Sequence, residues 1–174
     1  MKKILFSIVW VFLALSSMTQ AANSQPVMQI TDIKGVTYQI TGTEQGFNIK
    51  GLEGKIVFLE FFGHRCPPCL KSIPHLKTLY KKHKEKLAII SIEVQGLDNT
   101  RLQQFAQKRG MDYIVVSDEN AGSFTNYIAQ RAQWRGSIPF MVALDKKGRV
   151  QFVQAGMLPE ASLEELVKQL DAIK

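Results

Sequence analysis

The stretch Lys55–Tyr80, KIVFLEFFGHRCPPCLKSIPHLKTLY, decides the fold of this chain. Its apolar run Ile56-Val57-Phe58-Leu59 continues through Glu60 into Phe61-Phe62. A short apolar run bounded by turn residues reads as a strand buried on both faces. Gly63 breaks that run, and Cys66-Pro67-Pro68-Cys69 follows, leading into a helical pattern with Leu70, Ile73, Leu76, Leu79 and Tyr80 on one face. The only two cysteines of the chain therefore stand at a strand-to-helix junction.

That placement implies chemistry. A helix start presents unpaired N–H groups and the positive end of the dipole, and both favour a thiolate over a thiol. Pro67 and Pro68 are tolerated there because first-turn N–H groups have no helical partner to lose. Cys66 is thus the expected exposed, attacking sulfur, and Cys69, one turn deeper, the sulfur that closes a redox-active disulfide with it. A static staple is disfavoured because so close a spacing encloses too small a loop to stabilise much. A zinc site needs four ligands, and Cys66, Cys69 and the nearby His64 supply three, so no metal is expected. A loop histidine such as His64 is read as solvent-facing, and His75 and His83 as helix surface.

Outward from this core, Leu87–Val94 (LAIISIEV) reads as the next buried strand and residues 98–109 as a helix capped by Asp98 or Asn99 and stopped by Gly110. Tyr113–Val116 reads as a strand and residues 121–134 as a helix. Phe140–Leu144 and Val150–Val153 form a hairpin across Asp145-Lys146-Lys147-Gly148. Ser162-x-x-Glu165 reads as a capping box opening a last helix with Leu163, Leu166, Val167, Leu170 and Ile173 as its apolar stripe. Upstream, Val36, Tyr38 and Ile40 alternate, as do Phe47 and Ile49, and predict an N-terminal β-hairpin beside the main sheet. Early strands joined through helices should run parallel and the late hairpin antiparallel, giving an α/β domain with a central mixed sheet.

With 174 residues, 45% of them hydrophobic, the chain can build one domain with a real core but not two comfortable ones. Its formal charge of +7 suits an acidic partner surface or an anionic membrane face. No nucleic-acid motif accompanies it, so no nucleic-acid partner is expected. The basic face of the first helix, with Lys71, Lys77, Lys81 and Lys84, is read as solvated surface. Residues 1–22 read as a cleaved signal peptide: Lys2 and Lys3, an apolar run from Ile4 to Leu15 too short to span a bilayer, and Thr19 and Ala21 at cleavage positions. Residues 23–26 follow as a linker and 27–174 as the folded domain.

Glu60–Cys69, EFFGHRCPPC, resembles the active-site strand and motif of the thioredoxin superfamily, and CPPC most resembles its exported TlpA-like, ResA-like branch. The resemblance implies a three-layer thioredoxin-like fold and a periplasmic thiol–disulfide oxidoreductase that mainly reduces exported cysteine-containing proteins, apocytochrome c among the candidates. It implies recharging by a membrane-embedded electron donor, no dissociable cofactor, and a monomer. It gives Glu60 the part of a buried acid that takes the proton from Cys69. It also makes Ile138–Pro139 a cis pair lining the substrate groove opposite the cysteines. Arg65 departs from the pattern, since the family usually carries Trp there, and its charge should favour the thiolate further. Two other readings stay open at this point: the same pair run as an oxidase or isomerase, and a Cu(I)-binding chaperone.

Overall fold

A computed structural model describes residues 25–173. The expected leader and the first half of the linker lie outside the described residues. Five strands form the main sheet in the order β6-β5-β4-β7-β8. The central strand β4 (Ile56–Phe62) runs parallel to β5 (Leu87–Glu93), and β5 parallel to β6 (Ile114–Ser117). β7 (Phe140–Leu144) runs antiparallel to both β4 and β8 (Val150–Ala155). The early strands and the late hairpin therefore run in the expected sense, and the antiparallel β4–β7 pairing joins the two halves of the mixed sheet.

Every residue of β4 and β5 is buried, as a strand covered on both faces must be. Side chains alternate across the sheet. Ile56, Phe58 and Phe62 face α1 (Pro67–His83) and α5 (Glu160–Ala172), packing on Ile73, Leu76, Leu79, Leu163 and Val167. α2 (Asn99–Arg109) adds Leu102 and Ala106 to that face. Val57, Leu59 and Phe61 face the opposite layer with Phe124 and Ile128 of α4 (Ser123–Arg131). The same alternation puts Glu60, Ser91 and Glu93 on the α1 side, which becomes decisive for the site.

The N-terminal segment is larger than a hairpin. β1 (Val27–Thr31), β2 (Thr37–Gly42) and β3 (Phe47–Ile49) form a separate antiparallel three-stranded sheet. Its inward residues Met28, Ile30, Ile40, Phe47 and Ile49 join the core of the α4 layer. It is stitched to the β7–β8 turn where Phe47 N donates to Gly148 O at 3.0 Å and Val150 N to Gln45 O at 2.9 Å. Gly46 permits that approach, because a β-carbon there would strike the Gly148 carbonyl.

Three local expectations change. Helix 121–134 is interrupted: Gly122, at φ +54°, separates α3 (Asp118–Ala121) from α4. The capping box at Ser162 does not form, because α5 starts three residues earlier, at Glu160, with Pro159 in place of Ser162 at the N-cap and no side-chain cap. Pro159 already supplies the non-helical turn, and Glu160 places its charge at the positive end of the dipole. On α1, Lys71 and Lys81 are exposed as expected, as is Lys84 just after it, but His83 is not plain helix surface. Lys82 and His83 both meet Glu164 at 2.9 Å, and Lys86 pairs with Asp171 on α5, so His83 is an interhelix contact. Asp98 does cap α2, accepting from Arg101 N at 2.8 Å, and Gly110 ends it in a left-handed conformation. Pro74 is carried inside α1.

Candidate active site

The site stands at the C-terminal ends of the parallel strands β4 and β5, where helix α1 begins. Cys66 is the N-cap of α1, and Pro67 and Pro68 occupy its first two positions, both exposed. The two cysteines form a disulfide with their Cα atoms 5.2 Å apart. Cys69 N donates to Cys66 Sγ at 3.3 Å, so the backbone already offers the donor a thiolate at Cys66 needs. Cys66 is 7% exposed and Cys69 0%, which gives the expected order of access through a narrower window than the sequence suggested. The cause lies opposite: the Ile138–Pro139 bond is cis, and the Ile138 carbonyl oxygen stands 3.8 Å from Cys66 Sγ.

That facing segment is held by aromatic packing the sequence did not reveal. Trp134 stacks on Phe140 at 5.3 Å and lies 4.6 Å from Phe61, and its indole N–H donates to Ser137 O at 2.7 Å. Pro139 is buried and its carbonyl accepts from Gly156 N at 2.8 Å.

Glu60 is 1% exposed. It pairs in register with Ser91 of β5 and Met141 of β7. Ser72 Oγ lies 2.7 Å from its Oε1 and Ser91 Oγ 2.9 Å from its Oε2. Burial pushes its carboxyl up to about 7, although both serine hydroxyls pull the other way. Ser72 Oγ is also 2.8 Å from the Cys69 carbonyl, and a hydroxyl has one proton to give. With Glu60 ionised, that proton serves the carboxylate. With Glu60 protonated, the acid can donate to Ser72, freeing it for Cys69 O. Ser72 thus ties the protonation of Glu60 to the first turn of the dithiol helix. A cavity of about 10 Å³, room for about one water, is lined by Glu60, Ser72 and Pro139 together with Met157. Tyr113, buried nearby with its hydroxyl unpartnered, has its acidity weakened first by burial and then by Glu60.

A second buried acid was not foreseen. Glu93, 0% exposed, accepts from the backbone N–H groups of His64, Gln95 and Leu97 at 3.2, 3.1 and 2.9 Å. The His64 ring adds a fourth donor, Nδ1 lying 2.8 Å from Glu93 Oε1. His64 is therefore not a solvent-facing loop residue: its side chain is 20% exposed and bound to this carboxylate. Gln95 continues the clamp, its Oε1 accepting from Arg65 N at 2.9 Å. Gly63 leaves room alongside, because a β-carbon there would meet the Gln95 side chain and push it from this position. His64 and Arg65, the two residues before Cys66, are thus held from the end of β5 and the loop after it. The Arg65 side chain is exposed and makes no ion pair among the described residues.

The polar interruption of LAIISIEV was the available signal for Ser91 and Glu93, and the inward helical position three past Cys69 was the signal for Ser72. Among the described residues no cluster of three or more His, Cys, Asp or Glu could hold a metal ion.

Residues 21–170 match the Redoxin family model. The chain belongs to the Redoxin family. Among its curated relatives in that fold, the thiol-disulfide oxidoreductase ResA of Halalkalibacterium halodurans is 26% identical over 158 residues, 90% of this chain and 81% of the relative. ResA of Bacillus thuringiensis is 28% identical over 166 residues, 95% and 87%. A thiol:disulfide interchange protein of the thioredoxin family from Chlorobium tepidum superposes with a TM-score of 0.66 at 22% identity, covering 84% of this chain and 94% of that one, a likeness of fold. This Redoxin-family chain, with its Cys66–Cys69 pair, is a thiol–disulfide oxidoreductase.

Proposed function

We propose that this oxidoreductase works mainly as a reductant of exported proteins. Cys66, as thiolate, attacks a substrate disulfide, forming a mixed disulfide and releasing the first substrate thiolate. Cys69, giving its proton to Glu60, attacks Cys66 Sγ, and the second substrate thiolate leaves as the Cys66–Cys69 disulfide closes. Two electrons pass to the substrate, and a membrane-embedded dithiol donor restores them. Ile138 and Pro139 form the facing wall, where an extended substrate chain pairs with the backbone as an added strand.

The observation that carries this reading is the asymmetry of the pair. Cys66 caps α1 and receives a backbone N–H, whereas Cys69 is sealed against the fold with a buried carboxyl behind its helix turn. One thiolate is stabilised and a second is opposed, which limits how far the reduced form is favoured and supports donation over oxidation. The apolar leader of residues 1–22 supports periplasmic delivery, and no helix among the described residues is long and apolar enough to cross a membrane. Apocytochrome c is one substrate that this chemistry would serve.

Two measurements test the proposal. Cys69→Ser expressed in cells should accumulate partners disulfide-linked to Cys66, released by dithiothreitol. Equilibration with a glutathione couple should place the pair near about −270 mV, while a value near about −120 mV would reverse the direction.

A further inference from the structure

A groove of about 480 Å³ runs between α1 and α2, starting one residue beyond Cys69. Leu70, Ile73 and Phe105 contribute its apolar surface, and Lys77, Lys108 and Arg109 its only charges. Lys77 Nζ is fixed to the Arg109 carbonyl at 2.8 Å, and the Arg109 guanidinium stands 5.0 Å from the centroid of the Phe105 ring. None of these three cations enters an ion pair among the described residues, although Lys82 and His83 at the end of α1, and Lys86 just beyond it, are matched to acids of α5. Lys71, Lys81 and Lys84 are equally without an ion pair among the described residues, so what sets the groove apart is that its three cations converge on one apolar floor close to the dithiol.

We propose that this groove docks an acidic, apolar segment of the substrate polypeptide flanking its reactive cysteine. The proposal rests on the reading of the chain as an enzyme acting on protein disulfides. Three cations around an apolar floor call for carboxylates flanking an apolar or aromatic side chain. A second copy of this chain is a poor occupant, because its net charge of +7 repels the rim. Position sets the spacing. At about 1.5 Å per helical residue, Leu70 to Lys77 lies about 6 to 16 Å along α1 from the Cys66 cap. An extended substrate at about 3.3 Å per residue covers that span between about two and five residues from its half-cystine. The groove therefore selects among disulfides by the sequence beside them, a task the sulfur chemistry itself cannot perform.

Fluorescein-labelled peptides with serine in place of the reactive cysteine read the groove without any redox step. One carries Glu-Phe-Glu about three residues from that serine and its twin carries Lys-Phe-Lys, each built on both sides of the serine. By anisotropy the acidic peptide should bind at least about tenfold tighter, and the preference should weaken as salt screens the rim. Lys77→Glu combined with Lys108→Glu should remove or invert the preference. Lys81→Glu with Lys84→Glu, on the same helix but outside the groove, should leave it within about twofold. Thermal melts confirm that both variants fold. Equal binding of the two peptides, or a preference indifferent to the first pair of substitutions, overturns the proposal. So does binding to vesicles of phosphatidylglycerol without binding to the acidic peptide, which would assign the rim to lipid. Failure of the Cys69→Ser capture would instead overturn the reductase reading and leave the peptide result standing.

Discussion

Glu60 and Glu93 are the same residue, on neighbouring strands, facing the same helix layer, with 1% and 0% exposure. What surrounds them differs. Glu60 has two serine hydroxyls, groups that can turn and can accept as well as donate. Glu93 has three backbone N–H groups and an imidazole N–H, which as arranged only donate. A buried carboxyl with adaptable partners can change its protonation state without disturbing the chain, and one held by fixed donors ties the chain together. Burial alone therefore does not assign a role to an acid, and the kind of donor does.

The largest test of that contrast is to remove each carboxyl in turn. Glu93→Leu leaves the N–H groups of His64, Gln95 and Leu97 without their acceptor, and should cost about 3–5 kcal/mol in urea unfolding. Glu60→Leu strands only the Ser91 hydroxyl, since Ser72 keeps the Cys69 carbonyl, and should change stability by about 1 kcal/mol or less at pH 8. Equal losses at the two sites would erase the distinction.

The next effect is the dependence of stability on pH. Burial first of all raises the Glu60 carboxyl from 4.5 to about 7 in the folded protein, so the native state binds the proton more tightly than the unfolded chain. Its contribution is fully present below the unfolded value and is lost as pH rises through about 7, amounting to ~3 kcal/mol over that window. Unfolding of the oxidised protein between pH 4 and 8 should show this decline, and Glu60→Gln should flatten it. A Glu60→Gln profile parallel to that of the parent would mean the carboxyl titrates normally.

Glu60 should also outweigh Glu93 in the chemistry. Glu60→Gln should slow closure of the Cys66–Cys69 disulfide from the mixed disulfide by about 10²-fold near neutral pH. It should leave the first attack by Cys66 little changed, as read by rapid-quench trapping of both steps. A loss confined to the first step would assign Glu60 to Cys66 instead.

The contrast also marks what could be read from the chain alone. EFFGHRCPPC placed the dithiol at the strand–helix junction, because an apolar run, a glycine break and a helix start leave few alternatives. Glu60 was legible because a charge inside a buried run demands an explanation. Glu93 breaks a buried run in the same way, yet its partners come from His64 and from a loop that no periodicity predicts. The three-stranded N-terminal sheet was half visible. The alternations of Val36, Tyr38 and Ile40 and of Phe47 and Ile49 announced two of its strands, whereas β1 went unread and the sheet's attachment depends on backbone bonds between the Gln45–Phe47 turn and Gly148–Val150. Ser162 shows the opposite error, a motif present in sequence but pre-empted by a proline and an acid just upstream.

The smallest effect concerns how firmly the Glu93 side of the site is locked. Gly63→Ala places a methyl where the Gln95 side chain lies, and a glutamine can swing aside. The substitution should therefore cost not a fold but one hydrogen bond, that from Arg65 N to Gln95 Oε1, about 1 kcal/mol or a few degrees in the melting midpoint. A double-mutant cycle with Gln95→Ala isolates it. If the clash is with Gln95 alone, alanine at position 63 should cost almost nothing once Gln95 has been shortened, and the coupling should equal most of the single-mutant loss. Persistence of the full cost in the Gln95→Ala background would mean that Gly63 serves the backbone path into Cys66 rather than the room beside it. The clamp would then reside in Glu93 and the main chain, with Gln95 a bystander.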